Sequence, residues 1–150
     1  MKVFVIGGSG FLGSYLVPKL VSAGHDVSVL TRRETEMSRL TQSGARPICG
    51  DILDCDAFLP ALPKQDVVVF IAMPFRPGRT TARKLRALTA NATTFARNAL
   101  KVATRLGATL IFTRGTGFRT APGEVADETW PFNPVGMARI GEGSIPLVDE

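Results

Sequence analysis

The chain has 150 residues, of which 45% are hydrophobic and 21% charged, and this composition predicts one globular domain with a buried core rather than a disordered chain. The longest apolar run, Val67–Met73, is far shorter than the roughly 18 residues of a membrane-spanning helix, and no signal peptide is evident, so we expect a cytoplasmic protein without a membrane partner. The net charge of +5 comes from scattered basic residues without interleaved aromatic rings, which argues against nucleic-acid binding.

Short β-branched runs alternate with helical patterns along most of the chain. The predicted strands are Lys2–Ile6, Asp26–Leu30, Arg46–Cys49, Asp66–Ala72 and Thr109–Thr113. The predicted helices are Phe11–Ala23, Glu34–Ser43, Asp56–Leu62 and Arg79–Leu106, the last being one long helix or two nearly continuous ones. This alternation is typical of βαβ units around a parallel sheet. The continuous apolar runs VVVFIA and LIF predict that the fourth and fifth strands are central.

Residues 114–150 differ in composition from the rest of the chain. They contain six glycines and four prolines, which disfavour any long helix or strand. We therefore divide the chain into a domain at residues 1–113, which contains the predicted strands and helices, and an irregular tail at residues 114–150 that packs on the same domain. The two cysteines, Cys49 and Cys55, lack metal-ligand spacing, so we expect reduced thiols and no metal site.

A glycine-rich stretch, VFVIGGSGFLGSYLVPKL, joins the first strand to the first helix. Its glycines fit either GxGxxG (Gly8, Gly10, Gly13) or GxxGxxG (Gly7, Gly10, Gly13). Glycine lets a pyrophosphate approach the backbone closely, and the unpaired N–H groups of a helix N-terminus bind anions. The stretch predicts a dinucleotide site. The residues expected to contact the cofactor here are Gly7, Ser9, Gly10, Phe11, Leu12 and Gly13, with Ala72 at the end of the fourth strand.

The residues after the second strand indicate which cofactor is preferred. An NAD site usually has an acidic side chain about 20 positions after the glycines, where this chain has Thr31, Arg32 and Arg33. Because guanidinium groups bind phosphate oxygens, we expect NADP(H) to be favoured over NAD(H). The alternative is that both arginines are merely exposed charges, one of them partly paired with Glu34.

A third signal, CGDILD, follows the third strand. At the carboxyl edge of a parallel sheet, Asp51 is placed to accept a hydrogen bond from an adenine amino group, while Ile52 flanks the ring. Asp54 is expected to be a helix N-cap or a turn residue.

Together these motifs resemble the extended and atypical short-chain dehydrogenase/reductases, the NAD-dependent epimerase/dehydratase-like group. The resemblance is carried by VIGGSGFLGSYLVPKL, LTRR and GDILD, and it spans about residues 1–134. It selects the GxxGxxG reading, with Gly8 incidental. It implies an α/β fold with a Rossmann-type doubly wound parallel sheet of about five strands in the order 3-2-1-4-5. It also implies an NAD(P)-binding oxidoreductase or epimerase-like protein with a small-molecule substrate.

The sequence departs from the family pattern in its reactive half. The family uses a Tyr-x-x-x-Lys pair with a serine or threonine, whereas the single tyrosine here is Tyr15 on the first helix and no lysine follows Lys101. Thr113 and Thr116 are the candidates for the hydroxyl partner. The sequence also shows no pattern of the further strands that form the family's C-terminal substrate-binding region. The alternative function is therefore a catalytically silent NADP(H)-binding module, sensor or truncated product. An exposed last strand offers a pairing edge, so we expect either a homodimer or a cover formed by the tail at residues 114–150.

Overall fold

A parallel sheet of five strands forms the centre of the computed structural model, which describes residues 1–73, 81–113, 123–125 and 127. The strands are β1 (Lys2–Ile6), β2 (Asp26–Thr31), β3 (Arg46–Cys49), β4 (Val67–Phe70) and β5 (Thr109–Phe112). Their order is β3-β2-β1-β4-β5, and each neighbouring pair is parallel. The predicted Rossmann-type topology is confirmed.

Four α-helices connect the strands: α1 (Phe11–Ser22), α2 (Glu34–Gln42), α3 (Cys55–Phe58) and α4 (Ala82–Leu106). The last is one continuous helix of 25 residues, which decides between the two predicted alternatives. The predicted helix Asp56–Leu62 is wrong in form, because α3 has only four residues and lies between 3-10 turns at Ile52–Asp54 and Leu59–Ala61. Pro60 has no N–H to continue an α-helical hydrogen-bond pattern there.

The two faces of the sheet carry separate apolar cores, because side chains alternate between the faces along each strand. Val3 and Val5 of β1 belong to a cluster that includes Val17 of α1 and Leu40 of α2. On the opposite face, Phe4 and Ile6 belong to a cluster with residues of α3 and α4, namely Phe58, Phe95, Ala99 and Val102. Helices therefore cover both faces, as the doubly wound fold requires. No helix within the described ranges is both long and apolar enough to cross a membrane.

Within the described residues the fifth strand lies at the edge of the sheet, whereas its apolar run predicted a central strand. Within the described residues β5 pairs only with β4. Leu110 and Phe112 pack against the cluster beneath α4, whereas the Ile111 side chain is 51% exposed. The apolar run thus reflects one covered face and one face that the described residues leave open. Most of residues 114–150, including Thr116, lies outside the described residues, and the packing of this tail stays a prediction.

Candidate functional site

Three of the four glycines in the β1–α1 turn are required by close packing. Gly7 has φ +96°, and a Cβ there would lie 2.6 Å from the backbone nitrogen of Ala72. A Cβ on Gly8 would lie 2.6 Å from Cγ1 of Val29, and one on Gly13 would lie 2.1 Å from the carbonyl oxygen of Gly8. The expectation that Gly8 is incidental is therefore wrong, because a Cβ there would also lie 3.2 Å from the buried side chains of Val17 and Val5.

Gly10 differs from the other three glycines. It is the exposed N-cap of α1 with φ −86°, and the nearest atom to a Cβ there would be the carbonyl oxygen of Gly7, at 3.2 Å. Its N–H donates to that oxygen across 3.0 Å. Packing among the described residues therefore does not demand a glycine at this position, and the missing side chain leaves the approach to the helix open.

The first turn of α1 has the features of an anion site. Within the described part of the chain, the backbone N–H groups of Phe11, Leu12 and Gly13 have no hydrogen-bond acceptor. The first turn contains no acidic residue, and Gly10 supplies no side-chain cap. Unpaired N–H groups and the helix dipole together favour a bound anion. Phe11 and Leu12 are 78% and 55% exposed, so neither side chain is fixed in the core.

An exposed aromatic pair lies beside this helix N-terminus. The rings of Phe11 and Tyr15 are 5.4 Å apart in an edge-to-face arrangement, and Tyr15 is 62% exposed. The single tyrosine of the chain is thus located on the surface of α1, next to the glycine-rich turn.

Thr31 fixes the turn that follows β2. Its side chain is buried, and its Oγ1 accepts a hydrogen bond from the Arg33 N–H at 3.2 Å and donates to the Arg33 carbonyl at 3.4 Å. Because the hydroxyl is occupied in this way, Thr31 contributes to the candidate site by shaping the backbone that presents Arg32 and Arg33.

Two residues predicted to contact different parts of the cofactor contact each other instead. Nη1 of Arg32 lies 3.3 Å from Oδ2 of Asp51, and the other carboxylate oxygen accepts a hydrogen bond from the Leu53 N–H at 3.0 Å. Their side chains are 60% and 33% exposed, so the pair lies at the surface. Among the described residues, Arg33 has no side-chain partner, and Glu34 pairs with neither arginine.

Ile52 belongs to the core on the α4 side of the sheet. Its side chain is 5% exposed, and its carbonyl accepts a hydrogen bond from Nδ2 of Asn98 at 2.6 Å. The predicted contact with a base therefore stays a prediction that depends on a small exposed part of this residue. Asp54 occupies the N-cap position of α3, as predicted, but its side chain makes no capping hydrogen bond.

Arg39 of α2 is a residue of the site that the sequence motifs did not indicate. Its Nη2 donates to the Ser9 carbonyl at 3.3 Å, and its Nε and Nη2 donate to Oε2 of Glu36 at 2.9 and 2.6 Å. A Glu–Arg pair three positions apart on a helix is usually an ordinary surface pair. The contact with Ser9 spans 30 positions, and no local pattern indicates it.

Of the two catalytic candidates, Thr113 lies within the described residues and Thr116 lies outside them. Oγ1 of Thr113 donates to the Phe70 carbonyl at 2.9 Å, so this hydroxyl hydrogen is occupied at the carboxyl edge of β4. Both cysteines are free thiols, and burial raises the pKa of Cys55. The described residues hold no group of three or more His, Cys, Asp or Glu side chains arranged for a metal ion. The roles of Thr113 and Thr116 stay predictions.

The parallel sheet, the glycine-rich turn and the open helix N-terminus define a Rossmann-type α/β protein. A model of the NAD dependent epimerase/dehydratase family matches residues 3–137. The chain belongs to this family.

Each of the relatives below matches this chain over only part of its own length. The sterol-4-alpha-carboxylate 3-dehydrogenase (decarboxylating) of Dictyostelium discoideum is 34% identical over 84 residues, which are 56% of this chain and 26% of that protein. An isoflavone reductase homolog, A622-like, of Nicotiana tabacum is 36% identical over 76 residues, 45% of this chain and 24% of the relative.

Solved structures of two UDP-glucose 4-epimerases share the fold. The Thermus thermophilus enzyme, in complex with NAD, has a TM-score of 0.79 at 24% identity. The match covers 98% of this chain and 49% of the chain of that enzyme. The Bifidobacterium longum enzyme, in complex with NAD+ and UDP, has a TM-score of 0.81 at 19% identity. This match covers 99% of this chain and 48% of the chain of that enzyme. The chain thus spans about a quarter of the two curated relatives and about half of these structures.

Proposed function

We propose that the chain binds NADP(H) in preference to NAD(H) at the β1–α1 turn, as the cofactor-binding part of an oxidoreductase or epimerase. The observation that carries this proposal is the exposed Gly10 in front of three unpaired N–H groups, with two arginines at the end of the adjacent strand β2. Family membership and the NAD complexes of the two epimerases support a nicotinamide dinucleotide. When bound, such a cofactor supplies hydride transfer.

The proposed pyrophosphate contacts come from the backbone of α1. The N–H groups of Phe11, Leu12 and Gly13 have no competing acceptor among the described residues, and no carboxylate in the first turn repels an anion. Since Gly10 has no side chain, a phosphate can approach these groups closely.

The proposed NADP(H) preference depends chiefly on Arg33. Thr31 orders the backbone at Arg33, whose guanidinium has no partner among the described residues, whereas Arg32 shares its charge with Asp51. The ion pair and the Leu53 N–H also occupy both oxygens of Asp51, a carboxylate that could otherwise accept a bond from a bare ribose hydroxyl. A 2′-phosphate would find an uncompensated cation at Arg33.

Calorimetric titration with NADPH and NADH tests this proposal. Arg33→Ala is expected to weaken NADPH binding about 10- to 100-fold with little effect on NADH, because hydrogen bonds to charged groups are worth about 1.5–3 kcal/mol. Arg46→Ala is the matched control, since Arg46 is exposed at the opposite end of the sheet, where β3 begins. Equal losses for both cofactors would contradict the phosphate contact, and a wild-type chain that binds neither cofactor would contradict the whole proposal.

A catalytically silent NADP(H)-binding module or sensor is the second candidate. It is supported by the exposed position of Tyr15 on α1 and by the Thr113 hydroxyl, which donates to a backbone carbonyl. Turnover of NADPH with a panel of carbonyl compounds separates the two functions. Oxidation of the cofactor supports the enzyme, and tight binding without oxidation supports the silent module.

We also propose a homodimer that forms through β5. Ile111 is 51% exposed on a strand that has one partner among the described residues, and an open strand edge favours pairing with a second chain. The expected cytoplasmic location stays a prediction.

A further inference from the structure

We infer that Arg39 is a positioning residue that holds the glycine-rich turn in the form that binds a dinucleotide. This inference rests on the proposed function, because it names how α2 acts on the same site. The residue lies on α2, outside the turn and outside every sequence motif that indicated the site.

The peptide group between Ser9 and Gly10 is held at both of its ends. Its carbonyl oxygen accepts a hydrogen bond from Nη2 of Arg39 at 3.3 Å, and its N–H donates to the Gly7 carbonyl at 3.0 Å. This peptide is the last one before the N-cap residue Gly10 leads into α1 at Phe11. Its orientation therefore determines how the chain enters the helix.

The two hydrogen bonds keep this peptide in one orientation. A peptide that turned over would lose both bonds and would direct its carbonyl oxygen at the Gly7 carbonyl, which would disturb the chain just before the free N–H groups of α1. The hydrogen bond from Arg39 ties the Ser9 carbonyl oxygen to a side chain of α2. Preorganised donors avoid the free-energy cost of ordering the loop when the ligand binds.

Glu36 fixes the position of the Arg39 guanidinium. Its Oε2 accepts from Nε and Nη2 of Arg39 at 2.9 and 2.6 Å, and its own side chain is only 23% exposed. With its charge compensated by Glu36, Arg39 differs from Arg33, which has no partner among the described residues. Arg39 is therefore expected to affect NADH and NADPH equally, whereas Arg33 affects NADPH alone.

The test compares Arg39→Met with Arg39→Lys in the full chain. The methionine variant is expected to bind NADPH and NADH about three- to tenfold more weakly, by the same factor, because one charge-assisted hydrogen bond to the loop is lost. The lysine variant retains a donor and should recover part of the affinity. Without cofactor, the Gly10 amide should exchange its hydrogen faster in the methionine variant, while the thermal midpoint stays near that of the Arg46→Met control.

Each other outcome overturns the inference in a distinct way. A loss confined to NADPH would make Arg39 a phosphate ligand rather than a positioning residue. Unchanged affinity for both cofactors would show that the contact with Ser9 does not matter for binding. If the wild-type chain binds neither cofactor, the proposed function fails, and Gly10 exchange alone then decides whether Arg39 holds the turn. Unchanged exchange in the methionine variant would overturn that role too.

Discussion

Gly10 and Gly13 lie three positions apart in one turn, yet a side chain would meet different surroundings at each. At Gly13 a Cβ would lie 2.1 Å from a backbone oxygen, and backbone cannot move aside cheaply. At Gly10 the closest atom is 3.2 Å away and φ is negative, so an alanine needs only a small shift. The first glycine is thus open to a ligand, and the second is required by the fold.

Alanine substitutions should separate these two roles. Gly13→Ala is expected to lower the free energy of unfolding by several kcal/mol, because α1 must move away from the Gly8 backbone, and urea unfolding measures this. Gly10→Ala is expected to leave unfolding within about 1 kcal/mol of wild type and to weaken binding of NADPH and NADH, measured by calorimetry. Strong binding by Gly10→Ala would show that no phosphate approaches this position.

At the scale of elements, an ion pair connects α3 to α4. Nζ of Lys101 lies 2.7 Å from Oδ2 of Asp56. The hydrogen bond from Lys101 lowers the pKa of Asp56, and the same bond raises the pKa of Lys101. Both side chains are exposed, so the contribution to stability is small. Its pH dependence nevertheless has a definite sign.

The effect of Lys101→Met on stability should depend on pH. Because the folded pKa of Asp56 is lowered, the pair stabilises the protein above the ordinary carboxyl range, and this contribution is lost as the pH falls through the folded value. The variant should therefore have a slightly lower urea midpoint than wild type at pH 7, and the difference should begin to shrink below about pH 4 and vanish once the pH is below the lowered folded pKa of Asp56. Lys19→Met is the control, because Lys19 is an exposed lysine on α1. A difference that persists unchanged in acid would contradict the ion pair.

At the scale of the whole molecule, the sheet ends at β3 on one side and at β5 on the other, within the described residues. The proposed dimer through β5 is tested by light scattering after size exclusion. Wild type is expected to approach twice its chain mass of 16.1 kDa as concentration rises, and Ile111→Lys should shift the equilibrium toward the monomer, since a charge on an edge strand disfavours pairing. A wild-type chain that stays monomeric at every concentration would contradict the dimer.

Sequence patterns predicted the parallel sheet and the glycine-rich turn, because these depend on local periodicity and on the conformations that glycine allows. The strand order was implied by the family resemblance, since local periodicity does not determine it. They could not predict the pairs Arg32–Asp51 and Arg39–Ser9, which join residues 19 and 30 positions apart. Such side chains meet only after the sheet has brought β1, β2 and β3 together. The apolar run of β5 predicted a central strand, whereas the strand order implied by the resemblance places β5 last, because an apolar run does not reveal which of its faces is covered.

The most direct test of the proposed dinucleotide site is a titration of the ¹⁵N-labelled chain with NADPH, followed by amide NMR. We expect the largest shifts at the N–H groups of Phe11, Leu12 and Gly13, with further shifts at Arg33, and we expect NADH to move the first three with little effect on Arg33. Amide signals of α1 that stay unchanged at saturating NADPH would contradict the site.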